Sequence, residues 1–293
     1  METKRLDKIV AEKAAVSREY AKNLINTGCV SLSDRVLTKP GAMFDDDEDI
    51  IVAAAEMKYV GRGGYKLEAA LDHFNIDVAG LVCGDIGAST GGFTDCMLQR
   101  GASKVYAIDA GTAQLVQKLR DDARVVSMEN TNVRNLFELP EKLDFITIDV
   151  SFISVTKIIE NVSALIRDGG KVVCLIKPQF EVGRKNLNKK GIVKDNKQRD
   201  LAVKTVLTAF ENSRPVLKLP HTICLSLFPL MIFRKKHEKS LPVKTRQKLV
   251  RQKFGFQDRP IGYKTKGVIS SPILGGDGNV EFLAYLSFSG IGE

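Results

Sequence analysis

At 293 residues, 44% hydrophobic and 27% charged, the chain suits one large domain with a small accessory one. No apolar run reaches the roughly 18 residues of a membrane span, and the charged start Met1-Glu2-Thr3-Lys4-Arg5-Leu6-Asp7 has no apolar signal region, so a cytoplasmic location is expected. Five scattered cysteines without a C-x-x-C pair and three lone histidines argue against disulfides and a metal site, while the net charge of +9 points to a polyanionic partner only weakly, because 14 Lys/Arg against two acids concentrate it in residues 213–266.

Residues 4–60 read as a small module. Leu6, Ile9 and Val10 are spaced for a helix over Lys4 to Lys13. Ser17 can cap a second helix running to Thr27, and Gly28 can end it. Tyr20, Leu24 and Ile25 share one face of that helix, and Arg18 and Lys22 lie four apart on another. Short extended pieces follow at Cys29-Val30-Ser31 and Asp49-Ile50-Ile51-Val52. This order resembles the S4 RNA-binding domain. The resemblance implies that a basic face carrying Arg5, Arg18 and Lys22 meets structured RNA, recognised by shape and backbone. The acidic run Asp45-Asp46-Asp47-Glu48-Asp49 would repel phosphate and is expected to face away. A helical cap with a solvated charged face is the plainer alternative.

After a short linker at 53–60 comes Arg62-Gly63-Gly64-Tyr65-Lys66-Leu67 at a helix start. It is not a Walker A motif, because no Ser/Thr follows the lysine. Arg62 and Lys66 flank the helix N-terminus, where the dipole already favours anions, and Arg62 joins the RNA-contact candidates. From Leu81 to Lys177 strand and helix patterns alternate. Strands are expected at Leu81–Asp85, Val105–Asp109, Val125–Met128, Phe145–Asp149 and Val172–Ile176. Helices are expected near 91–100, 112–120, 154–166 and 197–211. Such alternation builds a mostly parallel sheet covered on both faces, with ligands at the strands' carboxyl ends. Asp85, Asp109, Asp149 and Lys177 are expected to converge there. The polar loop 184–191 is a candidate lid or an ordinary surface loop. Residues 267–272 and 280–286, around a glycine-rich turn, read as an antiparallel hairpin finishing the sheet.

The turn after the first strand reads Asp85-Ile86-Gly87-Ala88-Ser89-Thr90-Gly91-Gly92-Phe93. A carboxylate before the first glycine fits an adenosyl ligand such as S-adenosyl-L-methionine better than a dinucleotide, although a dinucleotide site or a purely structural turn also fits a glycine turn. Asp85, Gly87, Ala88, Ser89, Thr90, Gly91, Gly92 and Phe93 are the cofactor candidates, with Gly87, Ala88, Ser89, Gly91 and Gly92 wrapping the methionine part. Asp109 would accept from ribose hydroxyls, and Asn130, with Thr131 and Asn132, would meet the adenine edge.

Five motifs in order make a more specific resemblance: Arg62 to Leu67, Asp85 to Phe93, Asp149-Val150-Ser151-Phe152-Ile153-Ser154, Ile176-Lys177-Pro178-Gln179-Phe180-Glu181 and Gly278-Asn279-Val280-Glu281-Phe282. With the S4-like start, the chain resembles the TlyA (hemolysin A) family, whose catalytic domain is similar to FtsJ-type RNA ribose methyltransferases. The resemblance implies an S-adenosylmethionine-dependent 2′-O-methyltransferase acting on cytidines of ribosomal RNA, in the large subunit first, with the small subunit a further option. It implies an α/β fold: a Rossmann-like doubly wound sheet with an antiparallel edge hairpin over residues 59–288, plus an S4-like α+β domain over 1–58. It also implies a catalytic tetrad of Lys66, Asp149, Lys177 and Glu281. Lys177 would take the hydroxyl proton, and Asp149 would orient it and sit near the methyl-bearing end of the ligand. Glu281 would hold Lys66 or the ribose. Each has a plainer alternative: a helix cap for Asp149, a phosphate-contact or surface lysine for Lys66, a structural lysine before proline for Lys177 and an edge-strand acid for Glu281.

Residues 213–252 depart from the family, inserting an apolar run at 222–233 and then a basic run from Arg234. Pro229 argues against a regular helix through it, and it is too short to span a bilayer. Two other functions stay open at this level: a membrane-active hemolysin-like protein, and an RNA-binding protein without turnover.

Overall fold

The computed structural model describes residues 3–14, 18–26, 28–45, 48–52, 58–213, 262–275 and 278–290. The expected cap Ser17, the helix end Thr27, the side chain of Tyr20, linker residues 53–57 and the insertion from 214 onward lie outside the described residues.

The N-terminal elements are β1 (Thr3–Arg5), α1 (Leu6–Lys13), α2 (Arg18–Asn26), β2 (Val30–Leu32), β3 (Arg35–Val36), β4 (Met43–Asp45) and β5 (Ile50–Val52). The helix expected from Lys4 begins only at Leu6. Residues 3–5 instead pair antiparallel with Met43–Asp45, a partnership no local pattern announces. β2 pairs antiparallel with both β3 and β5, and the two helices cover a core of Leu6, Ile9, Val10, Leu24, Ile25, Val30 and Ile50.

The larger unit runs α3 (Gly63–His73), β6 (Val82–Ile86), α4 (Gly92–Gln99), β7 (Lys104–Ile108), α5 (Gln117–Arg120), β8 (Val125–Met128), β9 (Leu143–Ile148), α6 (Ile159–Leu165), β10 (Ile166–Ile176), α7 (Pro178–Glu181), α8 (Asn196–Asn212), β11 (Gly262–Ser270) and β12 (Phe282–Ser289). Its seven strands lie in the order β11-β12-β10-β9-β6-β7-β8, forming the expected doubly wound sheet. β10, β9, β6, β7 and β8 are parallel to their neighbours, whereas β12 lies antiparallel between β10 and β11. The hairpin therefore finishes the sheet as expected, although its first strand begins at Gly262 rather than 267. The chain leaves β6 for β7 on one side and returns as β9 on the other, which opens a crevice at the carboxyl ends of β6 and β9. Two buried clusters fill the layers, one around Ile146, Ile148, Val172 and Phe210, the other around Leu67, Met97, Phe145 and Leu175.

Two helices fall short of expectation. The one expected over 112–120 is a single turn, Gln117–Arg120. Acidic side chains take the backbone N–H groups ahead of it: Gly111 N donates to Asp109, and Gln114 N and Leu115 N donate to Glu129. The segment 154–166 opens as a 3₁₀ turn, Val155–Lys157, before α6. Ser154 caps that turn by accepting from Thr156 N, and the chain is already extended at Ile166, where β10 begins.

Candidate active site

The glycine turn lies directly on the end of β9. Gly87 has φ +86°, and a Cβ there would stand 2.4 Å from the carbonyl oxygen of Asp149, so the position demands glycine on both counts. Gly87 N and Ala88 N both donate to Ile108 O, which fixes the turn to β7. Gly91 serves differently from expectation. It has φ +100° at the start of α4, a Cβ there would lie 2.2 Å from Leu119 Cδ1, and it lines neither of the two chambers beside the turn.

Two adjoining chambers share Gly87, Ser89 and Asp149. The larger, of about 370 Å³, lies over β6, β7 and β9 and is lined by Ile108, Asp109, Thr131, Asn132, Arg134, Val150, Phe152 and Ile153 among others. The smaller, of about 240 Å³, is walled by Arg62, Lys66, Ala88, Thr90, Gly92, Phe93 and Lys177. Volumes of this order suit a nucleoside-sized ligand.

Asp109 sits at the end of β7 with each carboxylate oxygen accepting one backbone bond, from Ser89 N at 2.8 Å and from Gly111 N at 2.7 Å. An ionised carboxylate has about four acceptor sites, so two remain for a pair of ribose hydroxyls. The expectation for Asn130 is not met: it lines neither chamber. It turns back at φ +55° and accepts from Thr112 Oγ1 at 2.5 Å, and Thr131 and Asn132 line the wall in its place.

Asp85 is also corrected. β6 continues to Ile86, and Asp85 is fully buried, lining neither chamber. Its oxygens accept from Thr94 Oγ1 on α4 at 2.7 Å and Thr147 Oγ1 on β9 at 3.0 Å. It ties the turn's helix to the sheet below the site, and three charged strand ends converge rather than four. Burial pushes its carboxyl up to about 7, against the lowering effect of the two hydroxyls. An acid raised on folding binds its proton more tightly in the native state, so its stability contribution is full at low pH and falls as pH rises toward about 7. The Asp85→Asn variant should flatten that decline, which runs at about 1.4 kcal/mol per pH unit between the unfolded and folded values. Urea denaturation at mildly acidic and mildly alkaline pH measures it, and an equal decline in both proteins would reject this origin.

The four tetrad candidates come together as two ion pairs. Lys66, one turn into α3 and 9% exposed, donates from Nζ to Glu281 Oε2 at 2.6 Å, and Glu281 is 3% exposed. Lys177 leaves the end of β10 with Nζ 2.5 Å from Asp149 Oδ1, and donates to Ser151 Oγ at 2.8 Å. Lys66, Asp149 and Lys177 all line the smaller chamber. Pairing with Glu281 compensates the charge of Lys66.

Several supports were not anticipated. Val60 N donates to Asp95 Oδ2 and Gln99 Nε2 to Lys58 O, so the segment before α3 is clipped to α4 and Arg62 is held at the chamber wall. Glu181 accepts from Ser154 Oγ at 2.6 Å and Val155 N at 2.9 Å, locking the Asp149 and Lys177 motifs to each other. Phe152 takes φ +65° and stands 92% exposed beside Phe180, with ring centroids 5.3 Å apart. The motif Asp149 to Ser154 was visible in the sequence, but nothing in it marked Ser151 or Phe152 as facing the cavity.

In the N-terminal module, Arg5 and Arg18 both bond Asp7, whose side chain is wholly buried. Burial pushes the Asp7 carboxyl up, but the two guanidinium groups together more than offset it and hold it low. The arginines are therefore anchors of α1 and α2 as well as surface cations, being 44% and 49% exposed at their side chains. Lys22 is half-buried on α2.

Among the described residues no group of His, Cys, Asp and Glu could hold a metal ion, and no helix is long and apolar enough to cross a membrane.

The FtsJ-like methyltransferase family matches residues 59–218. Bacillus subtilis YqxC, which carries an rRNA methyltransferase name, is 38% identical over 99% of this chain and 87% of its own length. The 16S/23S rRNA (cytidine-2′-O)-methyltransferase TlyA of Mycobacterium tuberculosis is 39% identical over 68% of this chain and 75% of its own. The solved structure of a Streptococcus thermophilus protein named as a hemolysin superposes with TM-score 0.64 at 34% identity, covering 99% of this chain and 90% of that one.

Proposed function

From the premise that the chain belongs to the FtsJ-like methyltransferase family, we propose that it transfers methyl groups from S-adenosyl-L-methionine to ribose 2′-hydroxyls of cytidines in ribosomal RNA. The observation that carries this reading is the meeting of Lys66, Asp149 and Lys177 around one chamber beneath the glycine turn, with Glu281 bonded to Lys66.

The residues fit the cofactor. Gly87 leaves a cradle that a side chain would fill, and Asp109 keeps two acceptor sites beside it. Thr131, Asn132 and Arg134 line the larger chamber and would meet a base edge there. When bound, S-adenosyl-L-methionine supplies a methyl group already activated on a sulfonium. The protein's share is alignment and proton removal. Lys177 would act as the base, taking at Nζ the proton that the attacking 2′-hydroxyl loses as its oxygen accepts the methyl group. Asp149, 2.5 Å away, then stabilises the ammonium that results. Ser151 fixes the direction of the Lys177 side chain. Lys66, oriented by Glu281, places a cation where charge develops on the ribose oxygen. Phe152, exposed at the mouth, offers a face for stacking a base.

Residues 1–58 are proposed as an S4-like RNA-binding domain. Two helices on a three-stranded antiparallel sheet with their own core support that reading. Arg5 and Arg18 serve RNA with the donors that Asp7 leaves unused, since each guanidinium carries five.

The test is a map of 2′-O-methyl positions in ribosomal RNA with and without the protein, alongside labelled methyl transfer to isolated subunits and to naked RNA. New methylation at cytidines of 23S or 16S rRNA is expected, with dye retained in liposomes assayed in parallel. Unchanged maps from protein that binds S-adenosyl-L-methionine would overturn the proposal.

A further inference from the structure

The loop after α7 has no part in the chemistry above, yet its position and charge single it out. Residues 184–197 contain six cations, Arg184, Lys185, Lys189, Lys190, Lys194 and Lys197, and one acid, Asp195. All six are exposed, and among the described residues none of their side chains takes part in an ion pair. Outside residues 213–266 the chain carries a small net negative charge, so this local excess is not a sample of a uniformly basic surface.

The loop is also built rather than loose. Asn188 Oδ1 accepts from Lys190 N at 2.8 Å and from Ile192 N at 2.9 Å, and Arg199 closes the far end by donating to Val193 O. Asn279, 1% exposed, then clasps it to the hairpin: Val193 N donates to Asn279 Oδ1 at 3.0 Å, and Asn279 Nδ2 donates to Gly191 O at 3.1 Å. Asn279 stands two residues before Glu281, and the loop begins just after α7, which follows Lys177. Both ion pairs of the chamber are thus connected through short, hydrogen-bonded segments to one basic ridge.

We infer that the ridge 184–197 binds the phosphate backbone of the RNA segment that presents the target ribose, and that Asn279 holds it in register with Lys177 and Glu281. The inference rests on the RNA methyltransferase reading above and adds the surface that docks the substrate. Phosphate is favoured over a lipid surface because an interfacial element needs a broad apolar face, and the loop's Leu187 and Ile192 are partly buried while Val193 is buried.

The test compares the full-length protein with its Lys189→Gln/Lys190→Gln/Lys194→Gln variant, on ribosomal RNA and on phosphatidylserine vesicles. Each lost phosphate contact should make the slope of log binding constant against log salt shallower by about 0.7–0.9. The variant is expected to lose about two to three such increments and to raise KM for RNA roughly tenfold or more, with kcat and S-adenosyl-L-methionine affinity unchanged. The doubly reversed Lys189→Glu/Lys190→Glu protein should weaken RNA binding further. A wild-type salt slope and KM in both variants, with wild-type protein methylating RNA, would overturn the ridge and leave the enzyme reading standing. Loss confined to vesicle binding would overturn it in favour of a lipid surface. Wild-type protein that neither binds nor methylates ribosomal RNA would remove both readings.

Discussion

Lys177→Ala should lower kcat for methyl transfer by about 10²–10⁴-fold, the range a positioned general base contributes. Affinity for S-adenosyl-L-methionine should be retained, because the residues proposed to hold it, Gly87, Asp109, Thr131, Asn132 and Arg134, lie on the segments that follow β6, β7 and β8. The variant also frees Asp149 from the ammonium 2.5 Å away, which leaves that carboxylate available to a sulfonium. Alanine removes base and charge together, so Lys177→Arg separates them. A guanidinium keeps the cation beside Asp149 but stays protonated in proteins, so it cannot accept the hydroxyl proton. Single-turnover kinetics on ribosomal subunits, with calorimetric titration of the cofactor, checks both variants. Substantial turnover by the arginine variant would assign Lys177 an electrostatic role and reject it as the base.

Much of the sheet was legible because its signals are local. Buried parallel strands such as Val172–Ile176 read as continuous apolar runs, and the glycine turn follows the first of them immediately. The ends of β7, β9 and β10 could then be placed by counting, which located Asp109, Asp149 and Lys177. Asp85 failed by one residue: β6 runs on to Ile86, and the period of two turns the side chain at 85 toward Thr94 and Thr147 instead of the cavity. Asn130 failed for a comparable reason. Its neighbours' backbone bonds, Asn130 N to Gly111 O and Thr131 N to Asp109 O, fix the loop with Thr131 and Asn132 facing inward. What sequence could not show was pairing across long separations. β1 with β4, Glu181 with Ser154, and Asn279 with Val193 all join segments whose meeting depends on the completed fold. The Lys66–Glu281 contact spans 215 positions, and only resemblance named both residues as members of one tetrad.

That buried pair yields the largest expected effect on stability. Glu281→Ala leaves the Lys66 ammonium 9% exposed and without its carboxylate, and breaking a buried ion pair from one side costs about 3–5 kcal/mol. Chemical denaturation should show that loss, and methyl transfer should fall with it, which alone does not separate a structural role from a catalytic one. Lys66→Met/Glu281→Leu does. Removing both charges and filling the space with apolar side chains is commonly neutral or stabilising by about 1–4 kcal/mol, so the double variant should recover the fold. If Lys66 stabilises charge on the ribose oxygen, activity should stay lost in that stable protein while cofactor binding is retained. A stable double variant that methylates RNA at the wild-type rate would make the pair a structural link between α3 and the hairpin, and the tetrad would shrink to Asp149 and Lys177.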